Sequence, residues 1–339
     1  MTNFHPMFHL EKFSVLYITY LISIIPFYNE SFLLLSSKER LLSKSINNSQ
    51  TMMIELENEK YKHEALLLIS LVLFLSLLSI ILCLGTADAK AVPSLCKISH
   101  PSDAQVPWEC KRMRKGETLE SLFDERWIDV VRFNRVDRRH VYPGTYIKVP
   151  KNLDDIKNFT PMPQYYQLAE PEAKFILVNL SEQFLAAYEY GRLVFSSPIA
   201  TGENENLTPN GEFRTTAYDS KHVSSLYFVE GTNKLYPMHY GLRFYINKRG
   251  IAFWIHGRDL PGYPASHGCI GLYDEQMQKK YYGYPKNPVL EDAKTLFDWV
   301  ISPLVDNGKF HTMKDGPKVL IIGTAPGTRS APPIEQVKP

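Results

Sequence analysis

Three side chains able to do nucleophilic or acid–base chemistry fall in one stretch, Phe253 to Leu272, which reads FWIHGRDLPGYPASHGCIGL: His256, His267 and Cys269. A cysteine attacks as its thiolate, and a nearby imidazole can take the proton, leaving an ion pair that reacts near neutral pH. The residues alone do not choose between the two histidines. The run from Ile251 to Ile255 is apolar and aromatic, which predicts a buried strand with His256 at its end, where the core opens to solvent. Gly257 then lets the backbone turn, and Pro261, Gly262 and Pro264 predict a loop. Gly268, just before Cys269, permits the close backbone approach needed if amides are to face an oxyanion. Asp274 to Tyr282 reads as helical.

Two other readings compete. A single cysteine is ordinarily a small buried hydrophobe, and a histidine beside a strand is ordinarily just hydrogen-bonded. The three side chains are also all zinc ligands in type, but no further Cys or His follows at short ligand spacing, and a structural zinc takes four.

HG, a short loop and SHGCIGL together resemble the signature of the L,D-transpeptidase catalytic domain of the YkuD type. Three more stretches resemble that family in the same order: FILVNLSEQFLAAYEYGRLVFSSPIATG at 175–202, TPNGEF at 208–213 and YPMHYGLRF at 236–244. The resemblance covers about 170–325. It implies that Cys269 is the nucleophile holding an acyl group as a thioester, and that His256 is the proton acceptor and donor. It also implies that the backbone carbonyl of Gly257 orients the imidazole, where a serine protease uses a carboxylate. Ser266, His267 and Gly268 match positions that shape the pocket, with amides near Cys269 forming the oxyanion hole. Tyr240 and Arg258 are further candidates for contact with substrate. One position departs from the pattern: many members carry Arg, and some Asn, where this chain has Gly271. Arg258 or Arg243 could supply the missing fork of donors.

A chain of 339 residues implies two or three modules, and a net charge of +2 gives no warrant for nucleic acid as a partner. Phe13 to Leu35 is broken by Pro26, Asn29 and Glu30 and makes a poor membrane span. Residues 65–84, ALLLISLVLFLSLLSIILCL, are long and apolar enough to cross a bilayer. Lys60 and Lys62 precede that segment, and Ala87, Asp88 and Ala89 follow it as a small-residue cleavage pattern, so it reads as a signal peptide or a single-span anchor. The paired Met52 and Met53 suggest an alternative start, with 1–51 an uncertain extension. Either way the remainder faces the cell envelope, periplasm or wall. After the apolar segment the cysteines are Cys96, Cys110 and Cys269; an oxidising compartment favours pairing the first two, close in sequence, and leaves Cys269 free.

Residues 107–150 carry a pattern of their own, with GETLESLF at 116–123, VVRFN at 130–134 and YPGTYIKVP at 142–150. Thr118 is a good helix N-cap and Pro143-Gly144 a turn, which predicts strand, helix, helix, strand. That order resembles a LysM domain, and the resemblance implies glycan binding; a spacer without sugar affinity is the other reading. Arg132, Arg135, Arg138 and Arg139 read as a solvated face. Residues 151–171, polar with Pro161, Pro163 and Pro171, read as a linker.

From 172 to 325 the strands are rich in aromatic and branched residues and separated by polar turns, predicting a mostly antiparallel β domain with a helix at 291–300 and a last buried strand at 318–322. For TPNGEF, turn chemistry is the simplest account of Asn210 and Gly211. Tyr236, Met238, Tyr240 and Phe244 fit a substrate groove or a core equally. The tail, 326–339, reads as disordered. The fold class is thus mainly β with peripheral helices. By the resemblance it is a YkuD-like β-sandwich, preceded by a βααβ LysM-like module and an N-terminal transmembrane or signal segment.

By resemblance, the expected function is transfer of a peptidoglycan stem tetrapeptide through a Cys269 thioester to an amine, with release of D-alanine and with no metal or organic cofactor. The amine belongs to another stem or to a wall protein. The same residues with water as acceptor would make a carboxypeptidase or cross-link hydrolase. A wall-binding protein with a silent catalytic domain is the non-enzymatic alternative. The expected partners are peptidoglycan stem peptides and glycan chains, and the membrane if the segment is not cleaved.

Overall fold

The computed structural model describes residues 48–84, 94–229 and 231–328 of the chain. The expected extension before residue 48, the Ala87-Asp88-Ala89 pattern and the tail from 329 lie outside the described residues. The chain divides into two units, Met1–Lys90 and Ala91–Pro339.

The described part of the first unit is one helix, α1 (Asn48–Leu84). Its segment Glu59–Ser79 is long and apolar enough to cross a membrane by length and composition. The hydroxyls of Ser70, Ser76 and Ser79 donate to the carbonyls of Leu67, Leu73 and Ser76 at 2.8–2.9 Å. Each serine is thereby satisfied within the helix, as an apolar surrounding demands.

The second unit opens with the four elements expected at 107–150: β1 (Trp108–Arg112), α2 (Leu119–Phe123), α3 (Trp127–Asn134) and β2 (Tyr146–Pro150). β1 and β2 pair antiparallel. Thr118 caps α2, its hydroxyl accepting from Ser121 N at 3.1 Å. Asn134 ties helix to strand: its amide donates to Val130 O and Lys148 O, and its Oδ1 accepts from Lys148 N. Cys96 and Cys110 form a disulfide that fastens the incoming chain to β1.

The rest is built on two five-stranded sheets. The strands are β3 (Phe175–Asn179), β4 (Phe184–Glu189), β5 (Arg192–Pro198), β6 (Gly211–Arg214), β7 (Ala217–Asp219), β8 (Val223–Phe228), β9 (Leu235–Pro237), β10 (Gly241–Ile246), β11 (Ala252–Arg258), β12 (Ile270–Tyr273), β13 (His311–Thr312) and β14 (Lys318–Ile322). One sheet has the order β5-β4-β3-β14-β6, the other β12-β11-β10-β7-β13, and β8 pairs with β9 as a separate ribbon. Two pairings are parallel, β3 with β14 and β11 with β12. Side chains alternate along each strand, so Ile176, Val178, Leu185, Ala187, Val319 and Ile321 from one sheet meet Leu242, Phe244, Ile255, Ile270 and Leu272 from the other. Helix α5 (Asp292–Ile301) adds Leu296, Phe297 and Val300 to that core. The result is mainly β with peripheral helices, as expected.

β3 is apolar on both faces, and the second face needs a cover. Residues 151–171 supply it: Met162 and Ala169 pack with Phe175, Leu177, Phe184 and Tyr188. Ile156 enters the core of the βααβ unit, which also takes in Ala200, Leu260, Tyr273 and Leu290 from the β region. The two expected modules thus share apolar core within one unit.

The four arginines read as a solvated face are instead joined to acids of the β region. Arg132 pairs with Asp292 at 2.8 Å, Arg135 with Glu182 at 3.2 Å, Arg138 with Glu275 at 2.5 Å and Arg139 with Asp259 at 2.7 Å. Arg135 has no exposed surface, and it also donates to Ser102 Oγ, Asp103 and the carbonyl of Glu182. A charge density that suggests solvent when counted along one segment is neutralised by partners distant in sequence. Removing one member of such a buried network strands the rest without compensation. Arg135→Met is therefore expected to lose about 3–5 kcal/mol of unfolding free energy in a denaturant titration, by that same rule. A loss under about 1 kcal/mol, the range of exposed pairs, would show that the network contributes little.

Candidate active site

The parallel pairing of β11 with β12 sets the site. Ile255 faces Ile270 and His256 faces Gly271 across the two strands. Ile255 and Ile270 point into the main core, so His256 and Trp254 point to the opposite face. Cys269, immediately before β12, packs on that face beside Trp254, Met238, Ala217 and Tyr236. His256 of β11 and Cys269, the residue that leads into β12, therefore share one face, offset by two residues; strand geometry puts their Cα atoms about 8 Å apart.

His256 is buried, and its Nδ1 lies 2.8 Å from the carbonyl of Gly257. A carbonyl only accepts, so Nδ1 carries the proton and Nε2 keeps its lone pair. Gly257 is held from behind, its N–H donating to His239 O at 2.8 Å. Glycine is required there: a Cβ would lie 2.4 Å from Asp274 Oδ2. Asp274 caps α4 (Glu275–Tyr282) through Oδ1, and its Oδ2 is 3.3 Å from His239 Nδ1.

Burial pushes the Cys269 thiol up to about 11, against a hydrogen bond with the Trp254 backbone and the charge of Arg258. Burial likewise lowers His256 to about 3, although the Gly257 carbonyl favours its charged form. Desolvation thus disfavours both charged forms together and works against the ion pair that the motif predicts. Alkylation of Cys269 by a neutral reagent is accordingly expected to accelerate about tenfold per pH unit between pH 7 and 10. A rate already level below pH 7 would demonstrate a preformed thiolate.

The turn carrying Cys269 is locked from several sides. Ser266 Oγ donates to Cys269 O at 2.6 Å and accepts from Gly268 N at 3.1 Å. Thr208 Oγ1 donates to Gly268 O at 3.0 Å, and Ala265 N and Ser266 N both donate to Thr201 O. Gly268 has φ +104°, and a Cβ on it would stand 2.4 Å from the Phe253 ring. The Gly268 amide is occupied by the Ser266 hydroxyl. In TPNGEF, turn chemistry was read for Asn210 and Gly211, whereas Thr208 is what grips the turn.

His267 is exposed and stacks on Tyr227 of β8 with ring centroids 4.2 Å apart. The β8–β9 ribbon thus comes beside the nucleophile turn and presents the exposed Leu226, Tyr227 and Phe228. Tyr240, at φ +56°, is partly buried and packs against the edge of the sandwich core beside Phe297, ring centroids 5.8 Å apart. Phe244 is core, while Tyr236 and Met238 lie with Trp254 and Cys269. Arg243 lies over Trp254 and Phe310. Among the described residues no group of three or more His, Cys, Asp or Glu is arranged to hold a metal ion. Trp254, Thr201 and His239 lie within the stretches that carry the resemblance without being singled out there, and Tyr227 lies outside all of them. Asp274 had a signal of its own, as an acid at the start of a predicted helix.

Residues 173–321 match the family model of the L,D-transpeptidase catalytic domain, YkuD. No curated protein matches the chain. Among solved structures, an L,D-transpeptidase from Stackebrandtia nassauensis is 21% identical, with 46% of this chain and 58% of that one covered and a TM-score of 0.31. L,D-transpeptidase 1 of Mycobacterium tuberculosis is 17% identical over 44% and 62%, TM-score 0.29. An Enterococcus faecium L,D-transpeptidase is 22% identical over 44% and 50%, TM-score 0.27. The chain thus spans between half and two thirds of the length of these proteins.

Proposed function

We propose that the L,D-transpeptidase catalytic domain at 173–321 acylates Cys269 with a peptidoglycan stem tetrapeptide and passes the acyl group to an amine. In the first step the thiol proton moves to His256 Nε2 as Sγ attacks the carbonyl of the third, diamino acid residue. The C–N bond to the terminal D-alanine then breaks, its nitrogen takes the proton from His256, and a thioester remains. An acceptor amine attacks that thioester, gives its proton to His256 and releases Cys269 as a thiol. The thioester conserves the energy of the broken peptide bond, so no nucleotide is consumed.

The observation that carries this reading is the placement of Cys269 and His256 on one face of adjacent parallel strands, with the imidazole tautomer set by Gly257. A pair with both charged forms disfavoured suits general-base attack, in which charge develops only as the bond forms. Action in the cell envelope is supported by the apolar helix and the disulfide, both at home in an exported protein. The βααβ unit at 107–150 is then the part that contacts glycan chains, supported by its element order. The test is incubation with a purified stem tetrapeptide. Release of D-alanine together with a cross-linked dimer is expected. D-alanine without dimer would make water the acceptor, and no change would refute the reading. A chelator is expected to leave the rate unchanged.

A further inference from the structure

Gly271 directly faces His256 across the strand pair, and the space above it is filled. A Cβ built on Gly271 would lie 1.9 Å from Cδ and 2.0 Å from Cγ of Arg258. The arginine leaves β11 two residues beyond His256, on the same face, and lays its stem over the neighbouring strand between Cys269 and Tyr273. Its guanidinium is then aimed by two backbone carbonyls, Nε donating to Asp259 O at 2.9 Å and Nη2 to Ala265 O at 3.3 Å. Ala265 belongs to the nucleophile turn, so the cation is tied to the segment that carries the thiol.

This charge is not consumed by the protein. Among the described residues no carboxylate lies within 4.0 Å of it, in contrast to Arg132, Arg135, Arg138 and Arg139. The acid next to it in sequence, Asp259, feels its charge but makes its direct contacts elsewhere, with Arg139 at 2.7 Å and the Tyr236 hydroxyl at 2.8 Å. A partly buried, oriented guanidinium beside Cys269, with no carboxylate in direct contact, keeps donors free for one.

We propose that Arg258 binds the free carboxylate of the donor peptide one residue beyond the scissile bond, and that position 271 is glycine because the arginine must cross it to reach that place. This rests on the acyl-transfer reading above and adds what the site selects: a donor ending in a free acid. A neutral donor end would leave the buried cation unpaired.

Two tetrapeptides identical except for a C-terminal carboxylate or carboxamide serve as probes, with acylation of Cys269 followed by mass. Wild type is expected to favour the acid roughly ten- to hundredfold in kcat/KM, as charge-assisted hydrogen bonds do. In Arg258→Gln the ratio is expected to collapse toward one, chiefly through KM for the acid, while Arg258→Lys retains part of it. Gly271→Ala is expected to lose the preference too, with the arginine still present, because the methyl displaces its stem; this variant carries the test if Arg258→Gln does not fold. An unchanged acid-to-amide ratio in folded Arg258→Gln or Gly271→Ala overturns the assignment. If wild type is acylated by neither peptide, the acyl-transfer reading itself fails, and this one with it.

Discussion

Replacing Cys269 with alanine is expected to abolish turnover, by at least on the order of 10⁴-fold, as removal of a catalytic nucleophile does. The fold should persist. Cys269 is only partly buried, against Trp254, Met238 and Ala217, and the substitution removes one sulfur from that cluster without opening a hole the size of a larger side chain. Neighbouring anchors are untouched, since Ser266 Oγ reaches the carbonyl of residue 269 and not its side chain. Unchanged thermal unfolding with no D-alanine release is the predicted pair of results. Retained release in the purified variant would remove Cys269 from the mechanism.

His256→Ala is the second large effect, expected at about 10³–10⁴-fold in kcat, the range for losing a positioned general base. With the thiol pushed up to about 11, hardly any thiolate exists at pH 7 without a base beside it. The sign with pH follows: the loss should shrink as pH rises toward 10, because hydroxide then generates the thiolate that the imidazole no longer can. Gly257→Ala tests the same point without touching the imidazole. Its methyl would meet Asp274 Oδ2 at 2.4 Å and its Cβ at 2.7 Å, so the strand must shift and carry the Gly257 carbonyl off His256 Nδ1. A displacement of about 1 Å costs on the order of 10²-fold. Wild-type pH dependence in His256→Ala would exclude its role as the base.

Much of this site was legible from residues 253–272. An apolar run ending in His-Gly, then a proline-rich loop, then Gly-Cys is local information, and the structure realises it as β11, a loop and β12. The core was legible for a related reason: the continuous apolar runs of β3, β4, β11 and β14 mark them as buried strands. What stayed hidden depends on long-range pairing. Nothing near Arg135 announces Glu182, and nothing near Arg138 announces Glu275, so four paired arginines, two of them buried, read as a solvated face. Aromatic spacing is similar: it fits groove or core for Tyr240 and Phe244 alike, and only the fold buries Phe244 while leaving Tyr240 partly exposed at the core's edge. The desolvation of Cys269 and His256 was equally out of reach, because it is a property of the packed face and not of the motif. Gly271 looked like a missing residue until the Arg258 stem was found above it.

The acyl-enzyme tests the central claim most directly. Wild-type protein mixed with a stem tetrapeptide, quenched in acid and weighed intact, should gain the mass of the tetrapeptide minus that of D-alanine, one tripeptide acyl group per chain in place of the thiol hydrogen, mapped to the peptide that contains Cys269 and released by hydroxylamine. An unmodified mass while D-alanine accumulates, or an acyl group mapped to any other residue, would contradict the account.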